Sequence, residues 1–219
     1  MDSVVFLVAH PDDDTCNSGG LILKMKDKYD VHVICATRGE RGVPGASIEE
    51  TRAKRMAEHV NALAITGGTV HYLDILDGDM VADETAIART LQLLKEINPR
   101  AVFTHWPMDS HPDHSATAEL GLKACQRWGA PAELYYFEAW LGAQTTRFTP
   151  DIYVDVTDVW DRKVEAMRQH VCQNANDVLV VYQQAQNRFR GMECNLRYAE
   201  GYKVRVPITN RFRSILFEL

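Results

Sequence analysis

The sequence lacks any apolar run long enough to cross a membrane, and it has no excess of basic residues. Its 219 residues carry 24 Lys and Arg against 30 Asp and Glu, giving a net charge of −6. Nucleic-acid-binding surfaces are usually basic, so we expect no nucleic-acid partner. A membrane helix needs about 20 consecutive apolar residues, so we expect no membrane span. No basic segment precedes the first apolar run, and we therefore expect no signal peptide.

The sequence also lacks a C-x-x-C pair, internal repeats and low-complexity linkers. The five cysteines are Cys16, Cys35, Cys125, Cys172 and Cys194. An odd number at wide spacing is typical of reduced thiols, which predicts a cytoplasmic protein. With 46% hydrophobic and 25% charged residues, the composition is that of an ordinary globular protein. We therefore expect one domain over residues 1–219.

Lysine and arginine are absent from the first 23 residues, although three carboxylates stand together there. Residues 4–9 predict a short buried strand, which is followed by His10, Pro11 and the aspartates at 12–14. Neighbouring carboxylates repel one another, and burying them costs several kcal/mol unless a positive charge is close. Because no basic residue is available locally, the sequence predicts a metal ion, with a further ligand from elsewhere in the chain.

Strand and helix patterns alternate along the first two thirds of the chain. The predicted strands are 4–9, 31–36, 70–75 and 101–104, and the helices between and after them are 19–28, 47–63, 83–97 and 115–128. These strands lack a regular polar alternation, which indicates burial on both faces. The order predicts an α/β fold, a Rossmann-like three-layer sandwich with a mainly parallel sheet. Further strands are predicted at 134–137, 152–156 and 204–207, and further helices at 159–170 and 178–189.

A second group of histidines and aspartates follows the predicted strand at 101–104. Its members are His105, Asp109, His111, Asp113 and His114. Since the carboxyl ends of parallel strands meet at one edge of the sheet, both groups are expected at the same place. Imidazole and carboxylate are ordinary zinc ligands, and a catalytic zinc ion keeps three protein ligands. His10, Asp13 and one histidine of the second group would provide such a set, which Fe²⁺ can also use.

The paired motifs AHPDDD (9–14) and HPDH (111–114) resemble those of the LmbE/PIG-L family of zinc-dependent N-acetylglucosaminyl de-N-acetylases. The segments ATRGERG (36–42), TRAKRMAEHVNALAI (51–65) and YLDILDGDM (72–80) extend this resemblance over about the first 120 residues. The resemblance implies the LmbE-like fold. It also implies a hydrolase that removes an acetyl group from an N-acetylglucosamine-type sugar or sugar conjugate.

The resemblance assigns roles to individual residues of the two motifs. His10, Asp13 and His114 match the metal ligands, and Asp12 matches the general base. The implied cofactor is Zn²⁺, with Fe²⁺ or another divalent metal as the alternative. A metal ion that lowers the pKa of water to about 7 would explain amide hydrolysis at neutral pH.

Three further residues match positions that act on the substrate in the family. His111 matches a histidine that stabilises the oxyanion or protonates the leaving amine. Asp113 matches the partner that orients this histidine and favours its charged form, and Arg52 matches an arginine that contacts the substrate. The chain departs from the family pattern at Asp14 and at Arg55, which both stand where the family usually has Glu. The resemblance also implies a homo-oligomer, either a trimer or a hexamer.

Two other functions are compatible with these motifs. One is an amidase for a larger acyl group or for a thiol-conjugate amide. The other is a metal-binding partner protein without catalytic activity. Asp12 favours an enzyme, because a binding site needs metal ligands but has no use for a general base.

Overall fold

The computed structural model describes residues 1–140, 144–205 and 214–219. A seven-stranded sheet in the order β3-β2-β1-β4-β5-β7-β6 forms its centre. The strands are β1 (Ser3–Val8), β2 (Asp30–Thr37), β3 (Thr69–Ile75), β4 (Ala101–His105), β5 (Glu133–Phe137), β6 (Ile152–Asp155) and β7 (Ala199–Arg205). Strands β1 to β5 pair in parallel, whereas β7 runs antiparallel to both of its neighbours. The predicted α/β fold with a mainly parallel sheet is confirmed.

Helices cover both faces of the sheet. They are α1 (Asp13–Met25), α2 (Ile48–Thr66), α3 (Glu84–Ile97), α4 (Pro112–Trp128), α5 (Trp160–Met167) and α6 (Val178–Glu193). Side chains of α1, α2, α5 and α6 belong to one hydrophobic core, and side chains of α3 and α4 to the other. Along β1, Phe6 faces the first core and Leu7 the second, so this strand is buried on both faces as its composition predicts. Among the described residues, no helix combines the length and apolarity needed to cross a membrane.

Two helices begin earlier than the sequence pattern predicts. α1 starts at Asp13 rather than at residue 19, and Gly19 and Gly20 lie in the interior of the helix, where they permit close packing. A Cβ atom on Gly20 would lie only 2.5 Å from Cγ1 of Val156. α4 starts at Pro112, a residue well suited to the first position of a helix. Both histidine–aspartate motifs therefore lie at helix N-termini.

The last predicted strand, 204–207, falls only partly within the described chain. Val204 and Arg205 end β7, while Pro207 lies outside the described residues. β7 itself starts at Ala199, five residues earlier than predicted. Its first residues were not predicted as a strand because polar residues interrupt the apolar ones. Glu200 of this strand is buried, which no alternation rule would predict.

A buried ion pair links α1 to α5 and β7. Lys163 of α5 is fully buried, and its Nζ donates to Oε1 of Glu200 at 2.7 Å and to Oδ1 of Asn187 at 3.1 Å. The Glu200 carboxylate also accepts hydrogen bonds from the backbone N–H groups of Gly20 and Leu21, at 2.8 and 2.9 Å. This network fixes the helix whose N-terminus carries the first motif.

Replacing Lys163 by Met should lower the free energy of unfolding by about 3 kcal/mol, since Glu200 would lose its counter-charge inside the protein. The matched control is Lys54→Met on the exposed surface of α2, which should change stability by no more than about 0.5 kcal/mol. Urea unfolding followed by circular dichroism measures both variants. Equal unfolding midpoints for the two would contradict a structural role for the pair.

Candidate active site

Donor atoms of three residues meet where β1 and β4 end. His10 follows β1, Asp13 opens α1, and His114 lies in the first turn of α4. Nδ1 of His10 is 3.2 Å from Nε2 of His114 and 3.3 Å from Oδ2 of Asp13. Nε2 of His114 is 3.4 Å from Oδ1 of Asp13. All three side chains are buried, so the structure brings together the three residues that the resemblance implies as ligands.

The separations between these residues, taken to either oxygen of Asp13, are close to those expected around a tetrahedral metal ion. Zinc ligands lie at about 2.0–2.2 Å from the ion, which puts neighbouring tetrahedral ligands about 3.3–3.6 Å apart. Two imidazole nitrogens facing each other at 3.2 Å would otherwise have to share a proton. A set of three protein donors beside a pocket is typical of catalytic sites, whereas structural zinc sites are closed by four.

The charges around the donors also favour a cation. Burial would lower the pKa of His10, but hydrogen bonds to Asp113, Asp13 and Asp77 raise it well above the usual value. Burial would raise the pKa of Asp13, but the nearby His114 and His105 hold it well below the usual value. The carboxylates thus create a negative potential at the donor set, and a divalent cation would neutralise it.

Two carboxylates hold the second nitrogen of His10. Its Nε2 lies 3.3 Å from Oδ1 of Asp77 and 3.3 Å from Oδ2 of Asp113. Asp77 in turn accepts a hydrogen bond from the backbone of Arg41 at 3.1 Å, and Asp113 accepts one from Gly78 at 2.7 Å. Contacts of this kind fix the tautomer and orientation of a metal-binding histidine. Sequence reasoning missed Asp77, although its position just after β3 places it at the same edge of the sheet.

The other histidine of the donor set is supported in a similar way. Nδ1 of His114 lies 3.1 Å from Oδ2 of Asp109, and the ring of His105 stacks on that of His114 with centroids 4.0 Å apart. His105 is fully buried, and burial lowers its pKa to about 4. A neutral His105 therefore packs behind the donor set, where its Nε2 also accepts the N–H of Ala9 at 3.2 Å.

His111 lines the pocket, but its link to Asp113 differs from the one we expected. The Asp113 carboxylate contacts His10 and Gly78, and only the backbone N–H of Asp113 reaches Nδ1 of His111, at 3.2 Å. This hydrogen bond places the proton of a neutral His111 ring on Nε2. Burial, followed by the charges of His10 and His114, lowers the pKa of His111 instead of raising it. His111 is therefore suited to donate a hydrogen bond as a neutral ring.

Asp12 lines the same pocket and is paired with an arginine of α2. Its Oδ2 lies 2.9 Å from an Nη atom of Arg55. Arg52, the arginine that the resemblance implies as a substrate contact, instead directs its guanidinium to Glu40 at 3.2 Å and is absent from the pocket lining. The role of Arg52 therefore stays a prediction, while Arg55 reaches the site directly.

The pocket in front of the donor set has a volume of about 350 Å³, within the size range of small-molecule sites. Besides the charged groups already described, its walls contain Cys16, Gly42, Trp140, Gln144, Gln173 and Leu179. Among the described residues, amides, an aromatic ring and an aliphatic side chain thus surround the reactive groups. Such a mixture can bind a polar ring that also has apolar faces.

The chain is similar to known deacetylases in fold and in sequence. The structure is similar to N,N'-diacetylchitobiose deacetylase from Pyrococcus horikoshii, with a TM-score of 0.84, 22% identity, and coverage of 93% of this chain and 84% of that chain. At this identity the likeness shows the fold alone. The chain is 27% identical to the diacetylchitobiose deacetylase of Thermococcus kodakarensis, over 91% of this chain and 82% of the relative.

A second curated relative has a different activity in its name. The 4-oxalmesaconate hydratase of Pseudomonas putida is 27% identical over 94% of this chain and 90% of its own length. The family model named PIG-L, GlcNAc-PI de-N-acetylase, matches residues 5–125, which include both motifs and more than half of the chain. The protein therefore belongs to the PIG-L family of GlcNAc-PI de-N-acetylases.

Proposed function

We propose that this protein is a zinc-dependent hydrolase that removes the acetyl group from an N-acetylglucosamine-type sugar or sugar conjugate. The observation that carries the proposal is the presence of three metal donors, Asp12 and His111 in one pocket. Amide hydrolysis needs each of these parts: a cation, a base for water and a donor to the developing oxyanion. The deacetylases among the relatives support the choice of an N-acetyl substrate.

His10, Asp13 and His114 would hold the metal ion. When bound, a divalent ion polarises the amide carbonyl and makes water a stronger nucleophile at neutral pH. Two imidazoles and one carboxylate suit Zn²⁺, and Fe²⁺ is the alternative with the same ligands.

Asp12 moves the protons of the reaction. The Oδ2 atom of Asp12 pairs with Arg55, so its Oδ1 atom accepts the proton from the attacking water. As the C–N bond breaks, the protonated carboxyl returns this proton to the amine nitrogen. One residue thus serves first as the base and then as the acid, and the products are acetate and the free amino sugar.

His111 stabilises the oxyanion. Its Nδ1 accepts the N–H of Asp113, so Nε2–H is free to donate to the carbonyl oxygen as negative charge develops there. Of the two roles that the resemblance left open, the lowered pKa of His111 favours this one over protonation of the amine. Removing a single donor of this kind from other enzymes costs about 10²–10³-fold in kcat.

A hydratase acting on an anionic substrate is less compatible with the pocket. Among the residues that the structure describes, Arg41 and Arg55 supply the guanidinium groups of the lining, and both already have carboxylate partners. Arg55 pairs with Asp12 at 2.9 Å and Arg41 with Asp79 at 2.8 Å. A neutral N-acetyl sugar requires no further counter-charge, whereas an acidic substrate would.

We also retain several proposals from the sequence that concern the whole molecule. Residues 1–219 form one domain, the protein is a cytoplasmic homo-oligomer, and its substrate is a small N-acetylated sugar. A larger acyl amide or a thiol-conjugate amide would use the same catalytic groups, so only substrate tests separate these alternatives.

The proposed function predicts amine release from at least one N-acetylated sugar in a panel of N-acetylglucosamine, its disaccharide and its conjugates. The purified protein is assayed after loading with zinc and again after treatment with a chelator, which should abolish the activity. The same preparations are offered 4-oxalmesaconate, the unsaturated tricarboxylic acid for which the hydratase relative is named, and its hydration is followed by the loss of ultraviolet absorbance. Hydration without amine release would contradict the deacetylase proposal and favour the hydratase.

The donor set predicts the effect of ligand changes on bound metal. His114→Ala and Asp13→Asn should each reduce the metal content measured by elemental analysis, because the first removes a donor and the second removes the negative charge of another. His32→Ala on β2 is the matched control, since His32 pairs with His71 and Asp30 away from the pocket. Full metal content in both ligand variants would contradict the assignment.

Asp12→Asn should retain the metal but reduce kcat by about 10²–10⁴-fold, the usual contribution of a general base. The amide is similar in shape to the carboxylate but cannot accept the proton of water. Steady-state amine release, normalised to metal content, measures the effect. A kcat near that of the wild type would show that another group serves as the base.

A further inference from the structure

Arg55 is a buried charge at the pocket, at a position where the chain departs from its family's usual glutamate. The residue is 5% exposed and belongs to the middle of α2. One Nη atom lies 2.9 Å from Oδ2 of Asp12, and the other donates to the carbonyl oxygen of Gly39 at 3.4 Å. The guanidinium therefore bridges the loop after β2 and the candidate base.

The two glycines of the RGERG segment make room for this guanidinium. A Cβ atom on Gly42 would lie 2.6 Å from Nη1 of Arg55, and one on Gly39 would lie closer still. Gly39 also has a φ of +64°, which side-chain-bearing residues rarely adopt. At the end of this segment, Nε2 of Gln173 donates a hydrogen bond to the carbonyl oxygen of Gly42 at 2.9 Å. The loop thus forms a socket around Arg55.

Asp12 itself is held in an unusual way for its place in the helix. It is the N-cap residue of α1, where an aspartate side chain normally accepts a backbone N–H of the first turn. Asp12 makes no such capping hydrogen bond, and its carboxylate turns to Arg55 instead. The helix gives up a contact worth about 1 kcal/mol in other proteins, and the base gains a fixed position at the pocket.

We propose that Arg55 is the positioning residue for Asp12: it holds Oδ2 so that Oδ1 faces the substrate. The catalytic consequence rests on the proposed function, whereas the ion pair and its socket stand independently of it. A lysine would replace Arg55 only in part, because a point-like ammonium cannot reach Asp12 and Gly39 together as the planar fork does.

The pairing itself is tested by a double-mutant cycle on stability in zinc-saturated protein. Asp12→Asn, Arg55→Met and the double variant are unfolded with urea. In the Arg55→Met background, Asp12→Asn should not lower the unfolding midpoint further and should raise it, because it removes a partly buried charge that has lost its partner. The control cycle uses Lys54→Met in place of Arg55→Met, because Lys54 is an exposed residue next to Arg55 on α2. In this cycle the changes in the free energy of unfolding should add. Additive effects in both cycles would overturn the pairing.

The positioning role is tested by chemical rescue. Arg55→Ala should lower kcat on the order of 10²-fold, the cost of a misplaced catalytic group, with little change in KM and in metal content. Added guanidinium chloride should restore part of kcat by entering the socket, while urea, a neutral molecule of similar shape, should not. Arg55→Lys should retain more activity than Arg55→Met.

Gly42→Ala provides a second test if Arg55→Ala does not fold. Its new Cβ would push against Nη1 of Arg55 without changing either charged residue, so kcat should fall while metal content is kept. The positioning role would be overturned if Gly42→Ala and Arg55→Met both kept the wild-type kcat. It would also be overturned if guanidinium and urea changed the kcat of Arg55→Ala equally. If the wild type releases no amine at all, the proposed function fails, and the stability cycle still decides whether Arg55 holds Asp12.

Discussion

Burial of several carboxylates at one edge of the sheet is the constraint on which the rest of the site depends. Asp13, Asp77, Asp109 and Asp113 all lie within hydrogen-bonding distance of the histidine cluster, and each is at most half exposed. Such a group is stable only if every carboxylate has a donor or a cation nearby. Backbone N–H groups and imidazoles supply part of this compensation. The negative potential that remains raises the pKa of His10 and makes the site a place for a divalent ion.

The topology of the sheet is what brings the charges together. β1 and β4 are neighbours in parallel register, with Leu7 opposite Thr104, so the motifs that follow them end at the same level. Both motifs then enter helices at once, and the positive ends of α1 and α4 face the carboxylates. On the opposite side of α1, the Lys163–Glu200 pair keeps the helix fixed to the core. A site assembled from distant sequence segments therefore rests on rigid elements, which catalysis requires.

The sequence was sufficient for those features that depend on local pattern. The strands other than β7, the parallel sheet and the meeting of His10 and Asp13 with the second motif all followed from apolar runs and from the strand-end rule. The start of α1 was missed because residues 13–18 are mostly polar and show no apolar period, although all six are buried. The turn of Asp12 towards Arg55 was equally out of reach, since it depends on how α2 packs across the pocket. A single polar contact between residues of different elements leaves no periodic pattern in the sequence, unlike the apolar face of a helix.

The most direct test of the account is anomalous X-ray diffraction from crystals grown with zinc, recorded on both sides of the zinc absorption edge. The account predicts one strong anomalous peak about 2.0–2.2 Å from Nδ1 of His10, a carboxylate oxygen of Asp13 and Nε2 of His114. Absence of a peak at these three atoms, or a peak held instead by Asp77 and Asp113, would contradict it.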